Sequence, residues 1–145
     1  MSSKNSPRVE LTLPIIPDME LAATKTAEVV AKHMNLTEDQ SAEIGMAIIE
    51  ATINAFEHSE SDSENVEIHF IIQDDTLVIK VTDKGKGFDP SKVKSPNIEE
   101  KLGADRKRGW GLKLIQELMD TVEYKSTPEG TTVTMTKKKK NSERR

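Results

Sequence analysis

Between Thr37 and about Ser59 the chain carries a helical stretch with very little polar surface. Ile44, Ala47, Ile48, Ala51 and Ala55 recur at the spacing of one helix face, and Ile49, Ile53 and Phe56 make a second. Thr37 and Gln40 stand at capping-box spacing, which opens the helix. Between the two apolar faces runs a narrow polar seam of Glu43, Glu50, Asn54, Glu57 and His58. A solvated helix face is ordinarily wide and lysine-rich, whereas this one is narrow and carries acids and an amide.

Residues 8–13, with Val9, Leu11 and Leu13 alternating, predict a first strand stopped by Pro14 and Pro17. Asp18 is placed to cap a helix reaching about His33, with Leu21, Thr24, Val29 and Met34 as its partly periodic positions. Val66–Ile72 and Thr76–Thr82 read as strands joined by a turn at Gln73-Asp74-Asp75. Their alternation (Ile68, Phe70, Ile72; Leu77, Ile79, Val81) gives each one covered face. From Asp89 to Arg108 the pattern lapses into prolines and charges, the mark of a functional loop or of disorder. A helix from about Gly109 to Asp120 follows, with Leu112, Ile115, Leu118 and Met119 as its stripe. Two last strands, about Val122–Ser126 and Thr131–Thr136, are joined by Thr127-Pro128-Glu129-Gly130. The order predicts an α/β sandwich (α+β): one mixed, mostly antiparallel sheet covered on one face by helices. The expected domain runs over 8–136, with 1–7 and 137–145 as flexible termini.

Composition narrows the function classes. The 145 residues suit one domain. Cysteine is absent, which removes disulfides and thiol chemistry, and the scattered His33, His58 and His69 make no zinc constellation. No apolar run approaches a membrane span and Met1 to Arg8 is polar, so a cytoplasmic protein with no membrane role is expected. The tail from Lys137 to Arg145 holds six basic residues and one acid. The rest holds 15 basic and 24 acidic residues, a net of −9. An acidic body argues against direct nucleic-acid binding. The run Lys137-Lys138-Lys139-Lys140 reads as a solvated terminus, or as a contact for an acidic partner.

Three islands carry the chemistry. Glu50 and Asn54 lie one turn apart and point the same way: the amide offers an oxygen to Mg2+, and the carboxylate can take a proton from an attacking hydroxyl. The alternative is an exposed stripe on a surface helix. Asp83 ends a strand before Gly85 and Gly87; it can accept from an exocyclic amine such as adenine's, while the glycines allow close backbone approach. The alternative there is a turn with nothing bound. Arg106-Lys107-Arg108-Gly109-Trp110-Gly111-Leu112 sets a basic cluster before a glycine-rich helix start, which favours phosphate over a plain loop. There is no P-loop, and the His-Arg-Asp and Asp-Phe-Gly elements of eukaryotic-type protein kinases are missing.

In that order the islands resemble the ATPase superfamily of gyrase, mismatch-repair ATPases and histidine kinases, the Bergerat fold. Glu50-x3-Asn54-Ala55-x2-His58 resembles its N box, Asp83-x-Gly85-x-Gly87 its first glycine box and Gly109-x-Gly111 its second. The size and the run from Arg108 to Tyr124 look like the bacterial anti-sigma factor serine kinases of partner-switching systems. The resemblance covers about Val9 to Thr136. It implies Asn54 on Mg2+, Asp83 on the adenine amine, Glu50 as general base, Thr132 near the adenine and Arg108 near the phosphates. Gly85, Gly87, Gly109, Trp110, Gly111 and Leu112 would shape the ATP pocket, and about 89–108 would form its lid. The implied partners are an anti-anti-sigma antagonist and a sigma factor, with dimerisation also suggested. The rival is an ATP-binding switch that grips partners without phosphorylating them.

Overall fold

The computed structural model describes residues 6–58, 65–84, 113–128 and 130–140. In chain order these form β1 (Arg8–Pro14), α1 (Met19–His33), α2 (Glu38–His58), β2 (Asn65–Gln73), β3 (Thr76–Asp83), α3 at 113–118, β4 (Thr121–Thr127) and β5 (Gly130–Lys138). The strands lie in the order β1-β2-β3-β5-β4. All four pairings are antiparallel, so the sheet expected as mixed has no parallel pair among the described residues. β5 returns between β3 and β4, which leaves β1 and β4 as the edges. The expected lid at 89–108 and the start of the third helix lie outside the described residues.

Alternation decides which face is covered. Directly paired residues share a face, and Val9, Phe70, Ile79, Met135 and Val122 form one inner row, with Leu11, Ile68, Val81, Val133 and Tyr124 as the next. Ile68, Phe70, Ile79 and Met135 are fully buried beneath the helices. The opposite face carries Glu10, His69, Lys80, Thr134 and Glu123 in register, the mixed polar row that water tolerates. α2 lies over β2, β3 and β5, and α1 over α2, β1 and β2.

The α2 reading holds closely: Ile44, Ala47, Ile48, Ala51 and Ala55 are all buried. Its start is capped reciprocally, with Gln40 N donating to Thr37 Oγ1 at 3.0 Å and Thr37 N to Gln40 Oε1 at 3.2 Å. α1 departs from expectation. Leu21 and Val29 face outward, and the buried positions are Ala23, Ala27, Val30 and Ala31. Small residues at four-residue spacing let α1 approach α2 closely, so close packing rather than side-chain size chose the inner face. Asp18 stands at the N-cap position with φ 77° and its side chain makes no capping hydrogen bond; its carbonyl accepts from Leu21 N at 3.0 Å.

The C-terminal boundary also moves. Lys137 and Lys138 are the last residues of β5, and Lys137 is buried rather than solvated. Backbone groups hold the segment in place: Gln40 Nε2 donates to Lys138 O at 2.8 Å, and Lys139 N to Asp75 O at 2.7 Å. No helix among the described residues is long and apolar enough to cross a membrane.

Two stability tests follow from this packing. Thr37→Ala should lower the unfolding free energy by about 1 kcal/mol in urea titrations. Gln40→Ala should cost more, because it also leaves the Lys138 carbonyl unpaired. Burial pushes the Tyr124 phenol from 10.0 up to about 12. The unfolded chain therefore loses this proton first, and stability should fall between those pH values by at most ~2.7 kcal/mol, and by less because the ring is partly solvated. Tyr124→Phe should flatten that part of the pH profile.

Candidate functional site

One end of the inner face is polar. Asp83, Thr131 and Ser126 form a cross-strand row on the same side as the core residues. Asp83 is 4% exposed and Thr131 2%. The Thr131 and Ser126 hydroxyls lie 3.0 Å apart. Gly130 makes this geometry possible. At φ 153°, a Cβ there would fall 2.0 Å from the Asp83 carbonyl oxygen, so only glycine allows β5 to begin this close to the end of β3.

α2 delivers the second set of groups to the same end. Its first turns are fixed at the far end of β5 by the Gln40–Lys138 hydrogen bond and by a 2.7 Å ion pair between Glu43 and Lys137. From Glu43 the helix rises about 16 Å to Asn54. β5 covers about 20 Å between Lys137 and Thr131. Lying over β3 and β5, α2 therefore carries Asn54 toward the Asp83–Thr131 row. Asn54 is 7% exposed, and its side-chain nitrogen has no hydrogen-bond partner among the described residues. A buried amide donor is expensive to leave unmade, so this one reads as held for a ligand atom. Glu50, one turn back on the same seam, is only half-buried.

Of the residues singled out from sequence, Glu50 and Asn54 share one seam of the helix that packs on β3, and Asp83 is on the helix-covered face of the sheet. Thr132 is not. It stands directly opposite Thr82, with the two hydroxyls 3.0 Å apart, on the outer face of the sheet. The residue on the Asp83 side is Thr131. The sequence reading named its neighbour, and the burial parity of Thr131, Val133 and Met135 separates the two. Gly85, Gly87, Arg108, Gly109, Trp110, Gly111 and Leu112 lie outside the described residues.

No group of three or more His, Asp or Glu side chains that could hold a metal alone occurs among the described residues. One buried amide beside one half-buried carboxylate suits Mg2+, which takes few protein ligands when phosphate and water supply the others. The residues present fit that ion.

Comparison with known proteins places this geometry. Residues 17–137 match the family described as histidine kinase-like ATPase domain. The chain is 33% identical over 120 residues to the serine-protein kinase RsbW of Oceanobacillus iheyensis, covering 79% of this chain and 76% of that protein. It is 32% identical over 136 residues to the RsbW of Staphylococcus aureus, covering 89% and 85%. The chain belongs to the histidine kinase-like ATPase domain family, and within it to the RsbW serine-protein kinases. Among solved structures it is similar to the RsbU and RsbW domains of Rv1364c from Mycobacterium tuberculosis (TM-score 0.68, 18% identity), where the match covers 92% of this chain and 32% of that one. It is also similar to a chain of the SiaB-SiaC complex from Pseudomonas aeruginosa (TM-score 0.59, 12% identity, 89% and 88% covered). These two likenesses establish the fold.

The face assignment is directly testable by calorimetry with ATP. Thr131→Val should weaken affinity roughly tenfold, about 1.4 kcal/mol. Thr132→Val should leave it within about twofold. Gly130→Ala should weaken it more than either, by displacing the Asp83 backbone.

Proposed function

We propose that the protein is an ATP- and Mg2+-dependent protein serine kinase and anti-sigma factor. It phosphorylates a serine of a small anti-anti-sigma antagonist, and it sequesters a sigma factor that the unphosphorylated antagonist displaces. One observation carries the chemistry: a half-buried carboxylate, Glu50, sits one turn from a buried amide, Asn54, whose donor has no partner among the described residues, on the helix that packs on β3, the strand that ends in Asp83. The relatives named as serine-protein kinases support the same reaction.

In this reading the Asp83 carboxylate accepts from the adenine amine and Thr131 lines the same wall. The Asn54 amide has two ends to offer, Oδ1 to Mg2+ and Nδ2 to a phosphate oxygen. When bound, Mg2+ neutralises charge on the phosphate oxygens. Glu50 takes the proton of the serine hydroxyl as its oxygen bonds to the γ-phosphorus, and the bond from that phosphorus to the β-phosphate oxygen breaks to release ADP. The family resemblance implies that Gly85, Gly87, Arg108, Gly109, Trp110, Gly111 and Leu112, all outside the described residues, would complete the pocket, with 89–108 as its cover. The setting is the cytoplasm, and the protein works as a homodimer.

Incubation with γ-labelled ATP and an antagonist protein tests the assignment. Label on an antagonist serine is the expected result. Free labelled phosphate would instead indicate an ATPase, and tight binding without label a switch module. Glu50→Ala should slow transfer by a factor of about 100 or more while leaving ATP affinity within about threefold. Undiminished transfer in that variant removes Glu50 as the base. Asn54→Ala should abolish the magnesium-dependent part of ATP binding.

A further inference from the structure

Lys137 occupies a position where the fold calls for an apolar side chain. Thr131, Val133, Met135 and Lys137 form the inward row of β5, and Lys137 pairs with fully buried Leu77 on β3. Its side chain is 7% exposed. The ammonium reaches two elements at once: Glu43 Oε1 on α2 at 2.7 Å, and the carbonyl of Leu118, the last residue of α3. The C-terminal carbonyls of a helix carry partial negative charge and lack intrahelical donors, so a cation there completes α3 electrostatically. The turn after α3 is fastened to the same strand, with Asp120 N donating to Thr136 O at 2.9 Å and Lys138 N to Asp120 Oδ2 at 2.6 Å.

Lys137 is buried while the Glu43 side chain is 43% exposed, and burying a lysine against a half-solvated carboxylate is a poor way to gain stability, since an apolar residue of similar volume often serves as well or better. What an ammonium supplies and a methionine does not is a fixed, directional three-way junction. Glu43 lies on the seam of α2 that carries Glu50 and Asn54, seven and eleven residues further on. Pinning Glu43 therefore sets how far along β5 that seam extends, and hence where Asn54 stands relative to Asp83 and Thr131. The same contact fixes the end of α3.

We propose that Lys137 is a positioning residue for the nucleotide: it locks α2 and α3 to the end of β5 so that Asn54 meets the Asp83–Thr131 row at a fixed spacing. This rests on the ATP-binding part of the functional reading and not on kinase activity.

Calorimetry with Mg-ATP on the full chain, well below the melting temperature, provides the test. Lys137→Met keeps the aliphatic stem and should weaken ATP affinity about tenfold. Lys137→Arg retains charge and donors and should stay within about threefold of the parent. Glu43→Gln should fall between them. Leu13→Val, a core change on the remote strand β1, serves as the stability control; it should lower the melting temperature with ATP affinity unchanged. Amide exchange without nucleotide should show residues 113–118 less protected in Lys137→Met than in Leu13→Val. Parent-like ATP affinity in Lys137→Met, whatever its melting temperature, would overturn the positioning role. Unchanged exchange at 113–118 would overturn the junction itself. A parent protein that binds no ATP would sink the functional reading and the positioning role together, leaving exchange to decide the junction.

Discussion

The burial of one α2 face against β3 and β5 is the contact on which the other features depend. Ile44 and Ile48 are fully buried there, and complete burial of such a side chain contributes about 1.5–3 kcal/mol. Ala47, Ala51 and Ala55 keep the helix axis close to the sheet. Because the helical period is rigid, seating this face also fixes the direction of the seam beside it. Glu50 and Asn54 cannot rotate toward water without lifting Ile44 and Ile48 out of the core. The apolar contact thus acts as the alignment device for the polar one.

That alignment carries a cost which a purely structural domain would not keep. Asp83, Asn54 and Thr131 are each more than nine-tenths buried, beyond the apolar middle of the core. Burying polar groups is unfavourable unless partners are supplied, and the Asn54 nitrogen has none among the described residues. Local rules broken together in one place mark a functional site more often than a structural one. Gly130 adds to the same argument, since its close approach to Asp83 forbids any side chain at the start of β5.

Most of the architecture was legible because two periodicities dominate the chain. Alternation in β2 and β3 marked both the strands and the covered face, and the capping pair Thr37 and Gln40 marked where α2 begins. The failures have separate physical causes. In α1 the large residues Leu21 and Val29 drew the eye, while close packing selected Ala23, Ala27 and Ala31 for the interior. In β5 a period of two means that a shift of one residue changes face, so Thr132, named from the family resemblance, and Thr131 stand on opposite sides of the sheet. Four lysines in succession read as solvated because sequence does not reveal that Glu43 and the end of α3 converge on the first of them. For the glycine-rich islands, sequence remains the source of the assignment.

The gradient of burial along the α2 seam separates the roles proposed for its residues. Asn54, at 7% exposure, lies in nearly sealed surroundings, where electrostatic interactions with the proposed nucleotide would be strong and water would compete little. Glu50, one turn earlier, is half-buried. An enzyme acting on a small diffusible acceptor could enclose its base completely. A kinase acting on a folded protein has to leave the base where a hydroxyl carried by another surface can reach it. A carboxylate at the rim and an amide at the floor of the same seam meet both demands, because a single turn of helix spans about 5.4 Å, enough to cross from solvent to interior.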